Sequence, residues 1–236
     1  MTFKATVKRV LAFVMALVLC LALTACHKDA EEESTDAGTS GDSEFETTTV
    51  LSEDYSSYDD LITTVAAGVS SGFTEEQEDA LSLSYNIVHA DPSYETIGYT
   101  ELDLDGDGTK ELLLGSNDTD GNASHIYNVY TLVDGQMVQV LTGWDRNCYY
   151  LCQDNIIANE GANGASNYCT TFYTYSAGTL TLKESVYYNA DKDADNPWFY
   201  STSAAFDEDG KSISESEVNA ITDAYDYQTL EFTALS

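Results

Sequence analysis

"HIYNVYTLVDGQMVQVL", residues His125 to Leu141, consists of two apolar-alternating runs on either side of Asp134-Gly135. Alternation with a period of two sends successive side chains to opposite faces of a strand. Asp-Gly supplies the positive-φ positions that a tight hairpin turn needs. The stretch therefore predicts an antiparallel hairpin. Runs of the same kind recur on both sides of it: "TELDL", "ELLLG", "YYLC", "NIIA", "NYCTTFYTYS", "TLTLKESVYY", "WFYSTSAAF" and a closing "QTLEFTAL". Tyrosine and β-branched residues fill them, as pleated and half-buried surfaces prefer. Because consecutive runs tend to pair with their neighbours, the expectation is a mainly antiparallel, meander-like sheet of about eight to ten strands.

Helical signals flank the sheet. "SYDDLITTVAAGV" carries Leu61, Ile62, Val65 and Val69 at helical spacing. Thr74 with Gln77 three residues later resembles a capping box that opens "TEEQEDALSLSYNIVHA", which Asp91-Pro92 is expected to end. Ser214 with Glu217 repeats the box ahead of "ESEVNAITDAY". The fold class expected is α+β, with two N-terminal helices and one C-terminal helix in a single domain over residues 53–236. No long-period repeat is present, which argues against a complete propeller.

The first residues follow other rules. Lys4, Lys8 and Arg9 precede an apolar run from Val10 to Leu23, and Leu23-Thr24-Ala25-Cys26 follows. A basic start, an apolar run and small residues before a cut site describe a secretory signal over residues 1–25. The run falls short of the roughly 20 residues that a spanning helix needs. Leu23 to Cys26 resembles a bacterial lipobox, which implies acylation of Cys26 and attachment to the cell membrane on its extracellular face. Two acyl chains suffice for stable anchoring. Residues 26–52 are acidic, rich in Ser, Thr and Gly and poor in large apolar residues, so they read as a disordered tether after the lipidated cysteine.

Charge excludes one class of partner. The chain has nine Lys and Arg against 41 Asp and Glu, a formal charge of −32. The signal removes three of those basic residues and no acidic one. Nucleic acid, which requires a positive footprint, is not an expected partner. Binding to an anionic bilayer through the domain's own surface is disfavoured for the same reason, whereas solubility and counter-cation binding are favoured.

Within the expected domain the cysteines are Cys148, Cys152 and Cys169, with no paired zinc-type spacing and no histidine (His27, His89, His125) close in sequence. Two readings stay open for them: a Cys152–Cys169 bridge if their strands are neighbours, or small buried thiols.

"DLDGDGTKELLLG", Asp103 to Gly115, concentrates acid in one turn. Asp103, Asp105 and Asp107 stand at positions one, three and five, Gly108 at six and Thr109 at seven, as in a calcium loop built from hard oxygen ligands. Position twelve is Leu114, and the acid falls instead on Glu111 at nine. The flanks read as strands. The motif D-x-D-x-D-G-x-x-E-L resembles the FG-GAP-like calcium repeats of surface proteins, and more distantly dockerin loops. That resemblance implies Asp103, Asp105, Asp107 and Glu111 as side-chain ligands of Ca2+, with the Thr109 main-chain oxygen. Lipobox, acidic tether, short helices, the single loop, "GANGAS" at Gly161–Ser166 and the late "SESEVNAI" helix together resemble small Gram-positive bacterial surface lipoproteins. A weaker metal candidate is "DKDADNPW", with Asp191, Asp193 and Asp195 at ligand spacing but no later carboxylate; a solvated loop is its alternative. "NDTDGN" and "DEDGK" read as hairpin turns.

No GxSxG elbow, HExxH pair or glycine-rich phosphate loop occurs, and no catalytic residue is assigned. Trp144 with Arg146 and the tyrosine-rich strands either line a sugar or peptide surface or belong to core and sheet face. The expectation is a calcium-stabilised, lipid-anchored extracellular module that binds glycan or protein. The alternatives are an enzyme or enzyme accessory acting on cell-wall or dietary polysaccharide, and a structural subunit of an envelope complex. Cys26→Ala should release the protein from the membrane fraction or block its maturation; unchanged fractionation removes the lipoprotein reading.

Overall fold

The computed structural model describes residues 49–51, 55–91, 96–117 and 123–235, so the signal, Cys26 and most of the tether lie outside the described residues. Within them the chain is α+β. Its helices are α1 (Tyr58–Ser71), α2 (Glu75–Leu81), α3 (Tyr85–Val88) and α4 (Glu215–Thr222). The strands run β1 (Thr49–Val50), β2 (Gly98–Leu102), β3 (Glu111–Asn117), β4 (Ser124–Val133), β5 (Gln136–Thr142) and β6 (Asn147–Leu151). They continue with β7 (Ile156–Gly164), β8 (Asn167–Ser176), β9 (Thr179–Asn189), β10 (Trp198–Ser201), β11 (Lys211–Ser212) and β12 (Thr233–Ala234).

These strands form one sheet in the order β11-β10-β9-β8-β7-β6-β4-β3-β2-β12. Neighbours are antiparallel throughout, which is the meander the turn spacing predicts. The sheet branches at β4. Residues Asn128 to Val133 of β4 pair with β5, and Ile126 pairs with Tyr149 of β6.

Apolar alternation on β3 explains how the layers stack. Leu112 and Leu114 pack with Leu61, Val65 and Leu81 of the helical layer. Leu113, on the opposite face, packs with Val129, Ile157, Tyr175 and Leu180. Those last three belong to β7, β8 and β9 of the same sheet, so the sheet curls and buries one face against itself. Each of Leu112, Leu113 and Leu114 is fully buried, a stabilisation of about 2 kcal/mol per side chain. A register shift falls between Leu114 and Gly115, where a Cβ would stand 2.1 Å from the His125 carbonyl oxygen. Glycine is required there because two backbones approach too closely for any side chain.

Both capping boxes form: Thr74 with Gln77 at α2 and Ser214 with Glu217 at α4. The Asp134-Gly135 turn also forms, with φ 52° and 80°. Four details depart from the sequence reading. The single helix expected after Thr74 is two, because Ser82 takes a left-handed φ of 48° and ends α2. The freed polar groups are satisfied by the sheet: the Asn128 and Thr142 side chains donate to the Ser82 carbonyl, and Tyr130 Oη donates to the Leu81 carbonyl.

The folded part also begins before residue 53. Thr49 and Val50 pair with Gln139 and Val138, and Leu51 is buried, so three residues assigned to the tether belong to the domain. At the other end only Thr233–Ala234 of "QTLEFTAL" joins the sheet, beside β2. "WFYSTSAAF" is a strand only over Trp198–Ser201. Of the expected turns, "DEDGK" forms one, with the Gly210 amide donating to the Asp207 carbonyl, and residues 118–122 of "NDTDGN" lie outside the described residues.

The β8–β9 hairpin turns on Ala177-Gly178, with φ 46° and 80°, matching Asp134-Gly135 in backbone but not in sequence. An alanine held in the left-handed region costs about 1–2 kcal/mol. Ala177→Asn, the residue this turn type favours, should stabilise the domain by about 1 kcal/mol. A thermal midpoint that fails to rise removes the strain argument.

Candidate metal centre

The loop between β2 and β3 is folded by its own carboxylates. Asp103 accepts from the Gly106 amide at 2.7 Å and the Gly108 amide at 3.0 Å. Asp105 accepts from the Asp107 amide at 3.2 Å, and Asp107 from the Thr109 amide at 2.6 Å. Gly106 and Gly108 have φ of 77° and 93°, which lets the chain reverse around these oxygens. Asp103, Asp105 and Asp107 each present an oxygen, all within 4.8 Å of one another. Like charges at that spacing repel, and a cation among them removes the repulsion.

Glu111 sits differently. It opens β3 and is buried, 2% exposed, beneath the loop rather than at its rim. One carboxylate oxygen accepts from the Leu104 amide at 2.8 Å and the other from Thr131 Oγ1 at 3.1 Å. Burial pushes its pKa up; hydrogen bonds from Leu104, Tyr175 and Thr131 pull the other way, and the Asp105 charge adds to the rise. Tyr58 Oη donates to the Lys110 carbonyl, so α1 also holds the loop. Burial raises the Tyr58 hydroxyl to about 12, which keeps it a donor at any physiological pH.

A further contact ties the loop to a distant part of the chain. The second oxygen of Asp105 accepts from the Ala177 amide at 2.7 Å, 72 residues away in sequence. In the same turn the Gly178 amide donates to Tyr175 Oη at 3.0 Å. The loop therefore closes the curl of the sheet, joining the β2–β3 end to the β8–β9 hairpin. Tyr58, Thr131, Tyr175 and Ala177 carry no motif that announces this role; it follows from the sheet's curvature.

The weaker metal candidate is not assembled. Asp191 accepts from Ser166 Oγ, Asp193 accepts from the amides of Asp195 and Asn196, and Lys192 binds the Glu208 carbonyl. Among the described residues, Asp103, Asp105 and Asp107 are the group gathered closely enough for an ion.

The Cys152–Cys169 bridge does not form; Cys148, Cys152 and Cys169 are all free thiols. β7 lies between the strands that lead to Cys152 and carry Cys169. Burial raises Cys148 to about 11 and Cys152 to about 12, so both stay protonated and weakly nucleophilic. Trp144 and Arg146 lie at the exposed β5–β6 turn.

With its folded pKa raised, Glu111 binds protons more readily in the native state than in the unfolded chain. Its contribution to stability is present at low pH and is lost as pH rises through the folded pKa. In chelator, the wild-type midpoint should fall more steeply than that of Glu111→Gln as pH rises from the ordinary carboxylate range toward neutrality. Parallel pH profiles would show that the buried carboxylate carries no such linkage.

No protein-family model matches the chain, and neither the curated proteins nor the solved structures contain a significant match to it.

Proposed function

We propose that this chain is a lipid-anchored extracellular module, of the kind borne by Gram-positive bacterial surfaces, whose acidic loop binds calcium and whose domain engages a glycan or a protein outside the cell. The observation that carries the metal reading is the convergence of Asp103, Asp105 and Asp107 where Asp105 also clasps Ala177. A hard divalent cation with six to eight oxygen ligands suits such a donor set. Asp103, Asp105 and Asp107 would supply side-chain oxygens and Thr109 its carbonyl. A carboxylate has about four lone-pair sites. Glu111 therefore keeps some acceptor capacity beyond its bonds to Leu104, Thr131 and Tyr175.

The chemistry is structural rather than catalytic. Calcium would neutralise three carboxylates at the junction that holds the curled sheet closed. The anchor reading rests on Leu23 to Cys26 and the acidic stretch after it. A tethered, strongly acidic domain in calcium-containing surroundings then gains stability from the ion that its own charge attracts.

A metal that binds only the folded state stabilises by mass action. Tenfold excess over the dissociation constant is worth about 1.4 kcal/mol. Extracellular sites of this type hold calcium at about 10⁻⁴ to 10⁻³ M, so calcium at ten times the dissociation constant should raise the thermal midpoint by several degrees, at about 2–4 °C per kcal/mol for a domain of this size. Magnesium should do much less, because it demands a small octahedral shell and sheds water reluctantly. Asp105→Ala should abolish the response and Asp193→Ala should keep it. Equal melting in calcium and in chelator would refute the site.

A further inference from the structure

Tyr85 and Trp144 are 63% and 47% exposed, on segments that are otherwise tightly held. Trp144 begins the β5–β6 turn, and its amide and carbonyl both bond Asn147, at 3.0 and 2.7 Å. Facing it is α3, only four residues long, which three hydrogen bonds fix in place. The Ser84 amide donates to Asn128 Oδ1 at 2.8 Å, Ser84 Oγ donates to the Gly143 carbonyl, and Asn86 Nδ2 donates to Asp145 Oδ1 at 2.9 Å. Residue 84 thus meets 143, and 86 meets 145. Tyr85 and Trp144, the residues between them, lie on two adjoining supports and are both exposed. Ser84 is fully buried, so the support is part of the core while the rings it presents are not.

The chemistry around the rings is polar and mixed. Asn86 Oδ1 is screened from water and accepts no hydrogen bond. A buried acceptor without a donor is costly, and a hydroxyl supplied by a ligand is one way to relieve it after a small side-chain shift. Asp145 lies in the same seam, and Tyr85 packs on His89 with ring centroids 4.1 Å apart. The other large hydrophobic side chains exposed among the described residues, Val50 and Val133, pair toward the opposite end of β5. The patch is therefore two aromatic rings with a hydrogen-bonding seam, not the continuous apolar surface that a protein interface core presents.

We infer that Tyr85 and Trp144 form a binding platform for a neutral polysaccharide, each ring taking the C–H face of a sugar unit while the Asn86–Asp145 seam takes hydroxyl hydrogen bonds. The inference rests on the reading of this protein as a surface module and names its ligand class. An aromatic ring offers large, rigid contact area at low entropic cost, and its face attracts the positively polarised C–H bonds of a sugar. Charge selects among glycans: a chain with a formal charge of −32 repels uronic or phosphorylated polymers and leaves neutral ones unopposed.

The test uses the full-length protein in detergent micelles. Retention is measured on insoluble cellulose and chitin, and by affinity electrophoresis in xylan, mixed-linkage β-glucan and polygalacturonate. Binding is expected to at least one neutral polymer and not to polygalacturonate. Trp144→Ala and Tyr85→Ala should each weaken it at least tenfold, Trp144→Phe should restore most of it, and Val133→Ala should leave it unchanged. A cooperative thermal transition, recorded on the same samples with and without calcium, shows that each variant is folded. No retention on any neutral polymer by protein that keeps this transition overturns the platform, as does equal binding by wild type, Trp144→Ala and Tyr85→Ala. Stronger binding to polygalacturonate overturns the charge argument. Binding through Trp144 by protein that shows no calcium shift supports the platform and counts against the metal reading instead.

Discussion

Strands β3 and β4 turn almost no residue to water on either face. That double burial is the constraint on which the rest of the domain depends. A half-buried antiparallel strand needs one covering layer, whereas these need two. The N-terminal helices supply one, through Leu61, Val65 and Leu81 against Leu112 and Leu114. Among the described residues, no second group of helices covers Leu113 and Val129. The sheet itself does so, bending until Ile157, Tyr175 and Leu180 lie over them. The branch at β4, the register shift at Gly115 and the long strands β7 to β9 all serve that bend.

A bent sheet must be held where its ends meet. Here the closure is polar: Asp105 reaches the Ala177 amide, and Glu111 braces the same loop from below through Leu104 and Thr131. The result places opposed demands on one region. The aspartates at the rim are stable together when a cation offsets their charge. The glutamate beneath them is buried, and burial favours its neutral form. Fold stability and ionic conditions are thereby linked through a few carboxylates, although the bulk of the core is apolar.

Much of this was legible in the sequence wherever one local signal decides the outcome. Asp134-Gly135 fixed a turn, two capping boxes fixed helix starts, and the spacing of Asp103, Asp105 and Asp107 brought three carboxylates together. The failures share a cause. Ala177 is not a turn-forming residue, and its left-handed backbone is imposed by the strands on either side. Ser82 carries no Pro or Gly signal; the helix stops there because the sheet offers its carbonyl better partners. Glu111 matches a ligand pattern, but its depth depends on Thr131 across the ladder and on Tyr175 in a strand far along the chain. Periodicity and spacing describe an element's own chain, and these three outcomes were decided by another.

The way the chain enters the domain has a mechanical consequence. Residues before Thr49 connect to the fold through β1, whose ladder to β5 is two residue pairs long and lies outside the continuous strand order. Tension applied at Thr49 would load this short ladder and the buried Leu51 before it reached β4. Peeling β1 would free a few residues and leave the curled sheet intact. That end of the domain would then yield under load while its body keeps its shape.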